Sequence, residues 1–260
     1  MRQFLFSAFF SFQFIVFGIP AIAHAETSEP LCEVMAIDGT ADLVNDDGTK
    51  TTLKEGDLVK PGGVVQTQNG STDIAFDKDW NNVVRIESGA KAKIRSVYPS
   101  RVEILNGAVF AKLKKLPKDS IFEVQTPTAV AAVRGTEYRA VFENGQTQVY
   151  NFSASDVYVY GVDAQGQKTK KSIVLAESQK TQVTGTGEVP KPPQPMGISE
   201  SQEGKSVQSA LDGKVKRVVE SGRVGKIHDV ASLEALKASS NARKPKGESR
   251  VVDTRRREFK

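Results

Sequence analysis

The chain has 260 residues, of which 38% are hydrophobic and 26% charged, with one cysteine, two histidines and a formal net charge of +5. That apolar content suffices for a folded core, and a single cysteine, Cys32, excludes an internal disulfide. Charge is uneven: residues 189–260 hold 16 Lys and Arg against 9 Asp and Glu, whereas residues 26–188 hold 19 against 22. The body is therefore mildly acidic and the basicity sits in the tail.

The first 25 residues place Arg2 before an apolar run over 4–17, then Gly18 and Pro20, then Ala23-His24-Ala25. This is the order of a secretory signal peptide, with cleavage expected after Ala25. A membrane-spanning helix wants roughly 20 apolar residues, and Gly18 and Pro20 interrupt this run before that length. The sequence thus predicts an exported chain, periplasmic or secreted, beginning near residue 26. His228 then remains as the one histidine, so three Cys or His ligands for zinc are not to be had. Cys32 reads as a buried small hydrophobe on the first strand or as a thiol for an intermolecular bridge.

From residue 31 to about 186 short runs of alternating apolar and polar residues are separated by Gly, Asn and Asp, which predicts strands throughout. Hairpin turns are expected at 45–48, at Asn69-Gly70 and at Asn144-Gly145, because these pairs accept positive φ. Glycine followed by small and apolar residues recurs at Gly39, Gly63, Gly89 and Gly107, with corners expected where the backbone bends. The expectation is an all-β fold, a short β-solenoid or a rolled β-sandwich. Asp73, Asp77 and Asp79 with Asn81 and Asn82 offer oxygen ligands for calcium, or simply a polar turn between two strands. Trp80, with Tyr98, Tyr158 and Tyr160, would suit sugar stacking or packing.

Near residue 186 the composition changes. Four prolines fall within residues 190–195, which predicts an extended spacer over 187–198. In the basic tail 199–260, Val207, Leu211, Val215, Val218 and Val219 recur at helical spacing. Gly204 and Gly213 weaken that helix by about 1 kcal/mol each. A second short helix is expected over 230–238 and disorder beyond 241.

Residues 123–142, EVQTPTAVAAVRGTEYRAVF, hold Thr126-Pro127 and Val133-Arg134-Gly135-Thr136 between β-patterned runs. This stretch resembles the core motif of FecR domains, the periplasmic module of iron-dicitrate-type regulators. The resemblance extends over most of 39–183, through Gly56-Asp57, Gly63-Val64-Val65-Gln66-Thr67 and Asn106-Gly107. It departs at 149–157, where a glycine step of the family is missing. In that family a sigma-factor-binding segment and a membrane helix precede the domain; here a cleavable leader is expected in their place. The resemblance implies a non-enzymatic binding or scaffold module with no cofactor. Its expected partner is another envelope protein, such as an outer-membrane receptor, in surface signalling or iron-uptake regulation. The alternative is binding of polysaccharide or peptidoglycan, the basic tail meeting anionic glycan. Candidate binding residues are Arg134, Gly135, Thr136 and Trp80. Arg134 is read either as a fork for carboxylate or phosphate or as a corner residue capping carbonyls or pairing with Glu137 or Asp156. No catalytic or metal site is assigned, since nothing brings a nucleophile and a base onto one rigid scaffold.

Overall fold

The structure, a computed structural model, describes residues 31–226 apart from 46, 115 and 117–119. The leader 1–25, His228, the helix expected over 230–238 and the last residues of the tail lie outside the described residues. Fifteen strands follow one another: β1 (Cys32–Val44), β2 (Lys50–Thr52), β3 (Leu58–Val59), β4 (Val64–Ala75), β5 (Asn82–Glu87), β6 (Lys91–Ser96), β7 (Arg101–Leu113) and β8 (Phe122–Gln125). Then come β9 (Ala129–Val133), β10 (Glu137–Glu143), β11 (Gln146–Asn151), β12 (Val157–Val162), β13 (Lys168–Leu175), β14 (Gln179–Val183) and β15 (Gln194–Pro195), followed by a helix, α1 (Ile198–Glu220).

All strands join in one sheet, ordered β13-β12-β9-β8-β7-β10-β11-β14-β15, with β1 to β6 attached through β7. The all-β expectation holds. Stacked rungs of a solenoid would pair in parallel, yet among the described strands only β7 and β8 do so. The arrangement is thus a rolled, mainly antiparallel sheet. The long strands β4 and β7 each change neighbour along their length, pairing with β5 at one end and β6 at the other.

Glycine marks these changes of neighbour. Gly39 and Gly70 lie opposite each other with φ of +82° and +72°. A β-carbon at Gly70 would come within 2.2 Å of the Asp38 carbonyl oxygen, so no side chain fits. Gly107 (φ +84°) plays the same part in β7. Alternate residues of the longer strands then point inward: Val34, Ile74, Val84, Ile86, Ile94, Ile104, Val124, Tyr138, Val157 and Leu175 are all buried in one core.

The proline-rich segment is extended, as expected of a spacer, but it is also paired to the sheet. Gln194 and Pro195 pair with Lys180 and Gln179 of β14. Lys191 and Met196 donate N–H bonds to Gln182 and Ser178 at 2.9 Å. Proline is tolerated because the segment lies at an edge, and the residues between the prolines supply the donors. The chain is thereby delivered to α1, which lies on the outer face of the sheet. Val207, Leu211, Val215 and Val218 pack there with Met35, Ala36, Ala75, Trp80, Val83 and Phe110. Val219, expected on the same stripe, instead points outward, 55% exposed. The Glu200 carboxylate accepts the Gly197 N–H at 2.7 Å, and Glu200 and Arg217 sit at the helix ends their charges favour.

Candidate partner-binding surface

The Thr-Pro motif builds a hydroxyl knot. Thr126 Oγ1 accepts the N–H groups of Thr128 and Ala129 at 3.2 and 2.9 Å. Thr147 Oγ1, on β11, lies 2.6 Å from the hydroxyls of both Thr126 and Thr128. All three threonines are buried, so the knot fixes the β8–β9 turn against β11. Seven residues on, the corner opens: Gly135 has φ +144°, Arg134 is exposed, and Thr136 is buried with its hydroxyl 3.5 Å from the Ser155 carbonyl. Among the described residues Arg134 forms no ion pair with Glu137 or Asp156, one of the alternatives for it. Glu137 is held instead by Lys112 at 3.0 Å and by Gln208 of α1. Arg134 thus projects from the corner, while Thr136 belongs to the packing.

Trp80 is not an exposed stacking platform. It is 4% exposed, beneath the end of α1, with φ +59°. Its loop is held by Asp77, whose carboxylate accepts the N–H groups of Asp79, Asn81 and Asn82 at 2.9, 3.1 and 2.7 Å. Burial pushes the Asp77 carboxyl up, against these bonds and with help from Asp79. The loop is thus a turn, as the simpler of the two readings had it. Asp73 is taken up elsewhere, forked by Arg85 at 2.7 and 2.9 Å. No group of three or more His, Cys, Asp or Glu among the described residues is placed to hold a metal ion. Cys32 is fully buried, and burial raises its thiol well above the ordinary range, which fits the small-hydrophobe reading.

After α1 the chain straps back over Trp80. The Arg223 guanidinium stands 5.1 Å from the Trp80 ring centre and donates to Glu33 and the Val34 carbonyl at 3.1 and 3.0 Å. The Trp80 indole N–H donates to the Arg223 carbonyl at 3.3 Å, and Lys226 N–H to Glu33 at 2.6 Å. Along the helix an ionic seam flanks the apolar stripe. Lys214 reaches Asp38 at 2.5 Å and Asp73 at 3.2 Å, and Lys112 meets Asp212. Arg139 forks Glu87 at 2.7 Å and reaches Glu203 at 3.2 Å. The hydrogen bond from Lys214 holds Asp38 below its usual value; Asp212 is pushed up by burial but pulled lower still by Lys112 and Lys114. Sequence reasoning saw the apolar stripe of α1 but not this seam. The one available signal was Lys214 next to Val215 on a face otherwise apolar.

The far end of the sheet is accessible as well. β13 pairs with β12 alone among the described residues, so its outer edge is open. Tyr158 and Val174 are cross-strand partners there, each 42% exposed. Tyr160 lies beneath the Lys168 ammonium, 5.4 Å from ring centre to Nζ, and Lys168 also meets Glu123, which Arg101 contacts at 2.9 Å. Lys168, Lys170 and Lys171 are all exposed. An exposed apolar pair, an unpaired edge and three cations make this the candidate surface for binding.

The fold and this surface define an all-β module with a rolled sheet, a helix docked on one outer face and an open edge at the end. Residues 63–155 match the family model described as FecR protein. Two solved structures assigned to an anti-sigma factor from Parabacteroides distasonis ATCC 8503 match parts of the chain. In the first, at 1.65 Å, the match has 15% identity and a TM-score of 0.42, over 54% of this chain and 62% of that one. In the second, at 2.50 Å, it has 16% identity and a TM-score of 0.42, over 69% and 91%. The chain therefore spans less than two thirds of the first of these. No curated protein matches the chain.

Proposed function

We propose that this protein is an exported, non-enzymatic binding module that recognises another envelope protein in surface signalling. The observation that carries the reading is the open outer edge of β13, which lies just after the segment matching the FecR model and bares Val174 beside Tyr158 of β12. A sheet edge recognises a partner through main-chain hydrogen bonds and through alternate side chains. The leader expected over residues 1–25 supports a location in the periplasm or outside the cell. An outer-membrane receptor or a signalling protein is the partner class that a FecR domain suggests, with iron uptake as one setting. The saturated carboxylates around Asp73 and Asp212 support a structural rather than a catalytic use of these groups.

The test is photo-crosslinking of the full chain in its native envelope, with the reactive residue at Ser172 on β13 and, as control, at Gln202 on the exposed side of α1. A discrete protein adduct from position 172 and not from 202 is expected. Adducts with cell-wall polymer alone would replace this reading by the polysaccharide one, and equal labelling from both positions would remove it.

A further inference from the structure

We infer that β13 is a docking edge for an acidic β-strand contributed by a protein partner, an inference that rests on the binding reading above. β13 has eight residues and is the longest described strand with a single neighbour; β2, β3 and β15 have three, two and two. A strand of that length leaves a row of N–H and C=O groups facing solvent, a template for another strand. Lysines alone are a common way to blunt such an edge. Here, however, Lys168, Lys170 and Lys171 occupy only its first half. The last three residues, Ile173-Val174-Leu175, are apolar and bare Val174 beside Tyr158, where blunting would call for charge.

Charge also selects the occupant. A second copy of this chain pairing antiparallel through the same strand would set the lysines of each copy opposite the second half of the other's strand and leave three cations from each copy on one short ladder without a counter-charge. Nor is there a carboxylate on β13 itself. Near the edge, Glu123 is already engaged by Lys168 and Arg101. The strand that fits carries Asp or Glu opposite the lysines and an apolar residue opposite Val174.

The probe is a labelled eight-residue peptide, Val-Val-Val-Thr-Glu-Glu-Thr-Glu, which in antiparallel register sets Glu opposite Lys168, Lys170 and Lys171 and Val opposite Val174, read by fluorescence anisotropy on the full chain. Comparison peptides carry Lys in place of Glu, or N-methyl groups on all odd or all even residues. The Glu peptide should bind and protect the amides of 168–175 from hydrogen exchange. The Lys peptide should not bind, and one of the two N-methylated peptides should lose about tenfold or more in affinity, roughly 1.4 kcal/mol. Lys170→Glu should weaken the Glu peptide similarly. Equal binding of both N-methylated peptides, or equal competition by polygalacturonate without amide protection, would make the edge a mere polyanion surface and overturn the proposal. So would no binding at all. A protein crosslinked from Ser172 alongside failure of the peptide would keep the binding function and discard only the strand mode.

Discussion

Gly204 of α1 lies so close to the Phe152 ring that a β-carbon on it would come within 2.0 Å of Phe152 Cε1. The glycine that weakens the helix in isolation is thus what lets the helix approach the sheet. Gly204→Ala should therefore destabilise the protein, although alanine is the better helix former by about 1 kcal/mol. Overpacking costs about 1–3 kcal/mol, so the net effect should be a loss of up to about 2 kcal/mol in urea unfolding. A gain in stability would mean that α1 is not docked here in solution.

Asp73 is fully buried between Arg85 and Lys214. Asp73→Ala leaves the buried Arg85 guanidinium without its fork, and breaking one partner of a buried pair costs about 3–5 kcal/mol. Equilibrium denaturation should show that loss. Lys214→Met, which removes the helix-borne cation but leaves the Arg85–Asp73 fork, should cost clearly less.

Trp80 is the only tryptophan, so its fluorescence reports the strap directly. Arg223→Ala removes the ring contact and the bonds to Glu33 and Val34. Emission should shift to the red and acrylamide quenching should rise, while the far-ultraviolet β signal stays. A chain ending at Thr186 should show the same changes more strongly and bind a hydrophobic dye, since Met35, Ala75, Trp80 and Phe110 lose their cover.

Acid should loosen the same contact. Asp38 and Asp212 are both held below their usual value of 3.8 in the folded chain. Groups with depressed folded values contribute stability that is complete above the unfolded value and lost as pH falls through the folded one. Helix docking should thus be insensitive to pH at and above about 5 and weaken below about 3.8. Trp80 emission as a function of pH measures this; Asp38→Asn and Asp212→Asn together should flatten the profile.

The hydroxyl knot gives a further prediction. Thr147→Val keeps the shape but leaves Thr126 and Thr128 without their shared partner. A buried polar group left unpaired costs about 1–3 kcal/mol, and thermal unfolding should move accordingly.

Local rules made much of the fold legible. Alternation marked strands such as those around Asn144-Gly145, and this hairpin pairs Tyr138 with Asn151 through Glu143 with Gln146. The glycines at 39 and 107 stood out because a bend with positive φ leaves a mark in residue type. The pattern of Thr126-Pro127 and Val133-Arg134-Gly135-Thr136 was likewise local and lies within the segment that matches the FecR model. The helical stripe of Val207, Leu211, Val215 and Val218 was visible as well, because it repeats within one element.

What lay across the stripe was not visible. Trp80 and Arg223 are 143 positions apart and Arg223 and Glu33 are 190, and no periodicity links residues at such distances. Arg134 and Trp80 stood out equally as binding candidates, yet one projects from its corner and the other is covered by the tail. Similarly, the run from Lys168 to Leu175 announced a strand but not that one side of it would be open. The sequence by itself determined strand, turn and helix, because these follow from the φ, ψ and side-chain periods of neighbouring residues. Only the tertiary structure decided which faces are covered and which edge remains free, because burial depends on segments brought together from distant parts of the chain.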